Sequence, residues 1–149
     1  MIGEQQSGFD VCNCHAIRQA ARHVTQFYDQ LLTPSGLRVT QFAILSRLRR
    51  SGPLSINALA SLLVMDRTTL GRNIVPLERD GLIEVAPSPD DRRRHELRLT
   101  EAGRSRHAIA LEYWKEAQRR FGDVFGDDRA ITLRSLLREV VASDFAGAS

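Results

Sequence analysis

Apolar residues recur at helical spacing at both ends of the chain and form a denser pattern in its middle. Ile17, Ala20, Ala21, Val24, Phe27, Tyr28 and Leu31 fall at i, i+3, i+4 and i+7 intervals, one stripe that predicts a helix stopped by Pro34 and Gly36. In the last third, Thr100 can cap a helix whose stripe runs through Ala110, Trp114, Ala117 and Phe121. The segment Gly126-Asp127-Asp128 breaks that pattern, and Leu133, Leu136, Leu137 and Val140 restart it. These end helices are expected to have little core of their own to cover and to pack together or on a second copy of the chain.

Between them, Phe42, Leu45 and Leu48 mark a helix that follows Thr40 and ends at Gly52-Pro53. Ser55 is an N-cap for a short helix through Ile56, Leu59, Ala60 and Leu63. After the connection Leu63-Val64-Met65, Asp66 caps a second helix that runs to Gly81. Two short helices joined by a tight turn predict a helix-turn-helix. At ~100° per residue, Leu70, Ile74 and Leu77 share the inward face, while Thr68, Arg72, Val75 and Arg79 point the other way with Arg67 and Asn73 on the flanks. Hydroxyl, amide and guanidinium groups on one exposed helix are those that read base edges and phosphates, and the first two turns hold no Glu or Lys of the kind that fills an ordinary solvated face. Pro76 lies inside this helix but past the turns that would enter DNA.

A strand-like run, residues 82–85, then leads into a turn, Pro87-Ser88-Pro89-Asp90-Asp91, and an alternating strand, His95-Glu96-Leu97-Arg98-Leu99. Arg92, Arg93 and Arg94 stand at the hairpin tip, where three adjacent guanidiniums repel one another unless a polyanion is near. The expected fold is mainly α with a small β-hairpin wing: a winged helix-turn-helix flanked by N- and C-terminal helices.

Composition limits the alternatives. With 149 residues, 42% hydrophobic and 26% charged, the chain is one domain's worth of globular protein. No apolar run approaches the ~20 residues that span a bilayer, and residues 1–15 lack the basic and apolar regions of a secretory leader, so a cytoplasmic protein is expected. Two cysteines cannot build a disulfide framework. Lys115 is the only lysine among 21 basic residues. A GC-rich genome would favour arginine everywhere, so placement carries more information than number. Net charge is −1 over residues 1–37, +5 over 38–106 and −1 over 107–149, which puts the whole excess on the helix-turn-helix and hairpin. No Walker, Rossmann or metallohydrolase motif is present, and an enzyme is not expected.

The segments Thr40-Gln41-Phe42, Leu59-Ala60, Asp66-Arg67-Thr68-Thr69-Leu70 with Arg72, Leu77 to Ile83, Asp91-Arg92-Arg93 and Leu99-Thr100-Glu101-Ala102-Gly103 resemble the MarR family of bacterial winged-helix regulators. The resemblance extends over about residues 12–145 and implies a single MarR-like domain over 1–149. Residues 12–34 and 101–145 would be its dimerisation helices and 38–100 its DNA-binding module. It implies a homodimer on a pseudo-palindromic double-stranded DNA operator, usually a repressor released by a small molecule or an oxidant. The expected DNA contacts are Ser55, Arg67, Thr68, Thr69, Arg72, Asn73, Arg92, Arg93 and Arg94; the resemblance implies that Arg93 enters the minor groove and Asp91 holds the wing. No cofactor is expected.

For the signal, two readings stand open. Cys14 borders the apolar stripe of the first helix while Cys12, two positions away, points elsewhere, so the two are not poised for a disulfide. The first helix resembles the organic-peroxide-sensing branch of the family, which places Cys14 on its reactive cysteine and Tyr28 on one contacting tyrosine; Val39 replaces the second. His15, Arg18 and Arg22 could favour a thiolate. The other effector would be a phenolic or aromatic ligand in a pocket formed by His15, Arg22, Phe27, Phe42 and Trp114. A metal site from Cys12, Cys14, His15 and His23 lacks a second ligand pair, and no metal is expected. The competing function from another class is a thiol enzyme that turns Cys14 on peroxides, but no resolving cysteine or base motif accompanies it.

Overall fold

The computed structural model describes residue 8 and residues 10–147. Most of the segment on which the absence of a leader was read, residues 1–7 and 9, lies outside the described residues. The chain divides into two compact units, residues 1–114 and 115–149.

The first unit opens with α1 (Asn13–Leu32) and a 3-10 turn (Thr33–Ser35), followed by α2 (Val39–Ser51), β1 (Leu54–Ser55), α3 (Ile56–Leu63) and α4 (Arg67–Arg79). Strands β2 (Ile83–Pro87) and β3 (His95–Leu99) form the wing, and α5 (Glu101–Phe125) begins at once. The core is aliphatic: Leu32, Leu37, Ile44, Leu45, Leu48, Leu59, Leu70, Ile74, Leu77, Leu82, Ile83 and Leu97 are buried together with Phe42 and Ala110. Burying each such side chain contributes about 1.5–3 kcal/mol.

Three expectations change. Two of the end helices do have core to cover, since Leu32 of α1 and Ala110 of α5 belong to it and Leu111 and Trp114 pack against it, while the N-terminal part of α1, with Ile17, Ala20 and Ala21, stays exposed. The sheet has a third strand, in the order β1-β3-β2, because Leu54 pairs with Leu97 on the side opposite Val85. A two-residue strand has no readable period. The strand expected at 82–85 runs to Pro87, which pairs with His95, because Ser88 N–H donates to the Arg94 carbonyl (2.7 Å) and closes the loop one step later.

Thr100 ties the helices to the wing. Its hydroxyl donates to the Gly81 carbonyl (2.6 Å) and accepts from Gly103 N–H (3.0 Å), capping α5 while holding the end of α4. Gly81 itself, at φ 73°, supplies the left-handed turn that ends α4. Gly103 is dictated by space: a Cβ there would collide with the Leu82 carbonyl oxygen.

The second unit holds the end of α5, the Gly126 turn at φ 102° and α6 (Asp127–Ala142). Hydrogen bonds from Arg119 and Arg120 hold the Glu116 carboxyl down to about 2. Ile131, Leu136, Leu137, Val140 and Val141 leave an apolar set exposed on α6. Among the described residues, no helix is long and apolar enough to cross a membrane.

Candidate nucleic-acid interface

The helix-turn-helix is built by caps at both of its starts. Ser55 Oγ accepts from Ala58 N–H (3.1 Å) at the head of α3, and Asp66 accepts from Thr69 N–H (2.9 Å) and the Thr69 hydroxyl (2.5 Å) at the head of α4. Those bonds, the hydroxyl first and the backbone next, hold the Asp66 carboxyl below the usual carboxylate range. Between the helices Val64 takes the left-handed conformation, φ 52°, which helps turn the chain within the three residues 64–66. Leu70, Ile74 and Leu77 are buried, whereas Arg67, Thr68, Thr69, Arg72, Val75 and Arg79 are exposed. Asn73 departs from the expectation of a free reading group: it is half-buried and its side-chain amide donates to the Thr69 carbonyl (2.9 Å).

The wing tip is fixed by Asp91. Its carboxylate accepts from Arg93 N–H (3.0 Å) and lies 3.9 Å from Arg94 Nε, while its carbonyl accepts from Arg94 N–H (3.0 Å). Arg93 is therefore anchored through its backbone, so its guanidinium takes no part in that bond. Arg92, Arg93 and Arg94 are all exposed.

These parts meet. A cleft of about 580 Å³ is lined by Ser55, Ile56, Asn57, Arg67, Val85, Arg93, Arg94 and His95. It brings the heads of α3 and α4 and the wing onto one concave, cationic surface, with helix N-termini adding partial positive charge. Ser55, Arg67, Arg93 and Arg94 were expected from the sequence; Asn57 and His95 were not. Asn57 is the second residue of α3, a position where polar groups face an anion, and that signal was available. His95 pairs with Pro87 at the loop end of the hairpin, a register that no sequence period shows.

The residues expected to sense a signal are less gathered. Cys12 lies off the helix and caps it, its Sγ accepting from His15 N–H (3.4 Å), so the two-apart helical geometry does not apply to Cys12 and Cys14. Both thiols are free and exposed. Tyr28 is buried and meets Phe27 edge-on at 5.6 Å. It stands 14 residues along α1 from Cys14, about 21 Å of helical rise, so the two cannot touch within one chain. The expected ligand pocket divides as well. Phe42 stacks on Trp114 (5.9 Å) and on His107 (5.0 Å), whereas His15 and Arg22 lie on the N-terminal part of α1. His107 is 3% exposed; its Nε2 meets Ser46 Oγ at 2.9 Å and its Nδ1 is buried without a partner. Burial, then the Arg49 charge, lowers its pKa. Among the described residues, no group of three or more His, Cys, Asp or Glu could hold a metal ion.

Residues 37–95, α2 through the first residue of the wing's second strand, match the MarR family model. The Mycobacterium tuberculosis transcriptional regulator MosR, solved in complex with DNA, is similar with 34% identity and a TM-score of 0.76 over 88% of this chain and 96% of that one. The chain belongs to the MarR family. It is a winged-helix transcriptional regulator. Two curated MarR-type relatives from Pseudomonas putida carry repressor names. NicR is 27% identical over 131 residues, 87% of this chain and 82% of that protein. IacR is 32% identical over 79 residues, which span 53% of this chain and 47%, about half, of IacR.

Proposed function

We propose that this MarR protein is a cytoplasmic, homodimeric repressor that reads a pseudo-palindromic double-stranded operator and lets go when a small aromatic acid binds. The observation that carries the DNA reading is the cleft shared by Ser55, Arg67, Arg93 and Arg94, which joins the first residue of α4 to the wing. In this reading α4 enters the major groove with Arg67, Thr68, Thr69 and Arg72, and Asn73 braces the helix from behind. Arg93 enters the minor groove, Arg92 and Arg94 flank it on phosphates, and Asp91 sets the wing. Residues 12–34 and 101–145 supply the dimer contacts, a role supported by the apolar set left exposed on α6. The repressor names of IacR and NicR support the direction of control.

The aromatic effector is favoured over oxidation of Cys14 by the stacked Phe42–His107–Trp114 group and the unpartnered Nδ1 inside it, a polar atom that a carboxylate or phenol would satisfy. Selection from a random duplex pool tests the core of the proposal. An inverted repeat with half-site centres about one helical turn apart is expected. Enrichment of no sequence at physiological salt refutes it. Release from the selected duplex by salicylate or by cumene hydroperoxide, in wild type and in Cys14→Ser, then distinguishes the two signals.

A further inference from the structure

Beside the buried face of α4 stand two residues, half-buried Gly71 and exposed Val75, that folding alone does not explain. Gly71 sits in the second turn, and a Cβ built on it would meet nothing within 4 Å. Glycine inside a helix is destabilising relative to alanine, so an open position held by glycine calls for a reason outside the folded chain. Four residues on, Val75 is 63% exposed, a β-branched apolar side chain in a helix. A lone exposed valine or a lone helical glycine needs no explanation. Here they are neighbours on one helix surface, with Thr68 three residues before Gly71 and Arg72 three before Val75. Arg67, Arg72 and Arg79 frame them, and Leu70, Ile74 and Leu77 occupy the opposite, buried side.

We infer that Gly71 and Val75 form an apolar reading stripe for thymine methyl groups in the major groove, an inference that rests on the DNA-binding role proposed above. The frame of guanidiniums selects a polyanion, and the C5-methyl of thymine is the apolar group that a duplex displays on its major-groove edge. The missing Cβ at Gly71 lets the helix axis approach the base edges by about the radius of a methyl group. That approach brings the isopropyl group of Val75 and, two helical turns or about 10 Å away, the methyl of Thr68 within reach of thymines about three base steps apart. Specificity for T over C at those steps then comes from shape and apolar contact rather than from hydrogen bonds.

The experiment uses the full chain and the duplex enriched from a random pool, with binding and melting measured side by side. Gly71→Ala is expected to raise Tm and weaken binding, opposite signs that a merely structural glycine cannot give. Val75→Ala is expected to lose about fourfold in affinity per lost methyl contact. Replacing by deoxyuridine the thymine that Val75 contacts should weaken wild type by a similar factor and leave Val75→Ala unaffected. If wild type enriches no sequence, the DNA-binding reading falls and this inference with it. If wild type enriches a site but Gly71→Ala, Val75→Ala and deoxyuridine leave affinity unchanged, the stripe is refuted and the DNA-binding reading stands.

Discussion

Asp91 permits a test in which geometry and net charge predict opposite signs. Replacing it by alanine removes a negative charge from each wing, and Coulomb's law alone predicts tighter binding to DNA. The structure predicts weaker binding. Asp91 Oδ1 holds Arg93 N–H at 3.0 Å, and Oδ2 lies 3.9 Å from Arg94 Nε. Losing such a bond costs about 1 kcal/mol of loop order per wing, and the two wings of the proposed dimer double it, so a fall of roughly tenfold or more is expected. Arg93→Ala gives the scale. A charge-assisted contact of about 1.5 kcal/mol in each protomer amounts to about 150-fold per dimer, and the log–log salt slope should shrink by about 1.8 if each Arg93 displaces one counterion. Arg104→Ala is the charge-matched control, since Arg104 pairs with Glu101 on α5 and is not among the residues that line the cleft. Fluorescence anisotropy on the selected duplex at several salt concentrations reads all three. If Asp91→Ala binds more tightly, or Arg93→Ala and Arg104→Ala behave alike, the protein attracts DNA by net charge and the wing has no defined role.

Three further outcomes follow from the packing. His107 is buried neutral with its pKa lowered, so the unfolded chain binds more protons below pH ~6.5. Stability should therefore fall as pH drops below about 6.5, and thermal melts of His107→Phe should lack that slope; a wild-type Tm that holds or rises from pH 7 to 5 contradicts the burial argument. Gly103→Ala should destabilise by about 1–3 kcal/mol in urea titration, because the new Cβ meets the Leu82 carbonyl oxygen; Ala108→Gly, on the exposed side of the same helix, should cost about 1 kcal/mol or less. Leu136→Glu on α6 should convert the proposed dimer to monomer by analytical ultracentrifugation, and a dimer unchanged by it would place the interface elsewhere.

The helix-turn-helix was legible because each of its signals is local. Ser55 and Asp66 are caps that act within three residues, and Leu70, Ile74 and Leu77 keep helical period on one face. Arg92, Arg93 and Arg94 were legible as a tip because the alternation on either side of them is that of a hairpin. What the sequence hid was every fact that depends on distant pairing. Leu54 and Ser55 become a strand only against Leu97 and Glu96, more than forty residues away. His107 reads as a polar residue near the head of a helix, and only the approach of Phe42 and Ser46 from α2 buries it. The sensing residues scattered for the same reason: Cys14 and Tyr28 were grouped by resemblance, and the rise of α1 separates them.

The exposed face of α4 shows how function is separable from folding in one helix. Leu70, Ile74 and Leu77 suffice to fix the helix to the core, and Asp66 suffices to start it. For stability alone, alanine or a straight-chain residue would serve better at every other interior position. The chain instead places a glycine at 71, a β-branched valine at 75 and a proline at 76, each unfavourable in a helix interior. It adds three adjacent arginines on a wing whose loop folds toward the same side. Each departure alone is minor. Pro76 lies past the turns that would enter DNA, but Gly71 and Val75 are neighbours on one side of the helix, away from the Leu70, Ile74 and Leu77 face, and with the wing arginines they are accounted for by a rigid, negatively charged partner whose groove dictates the fit.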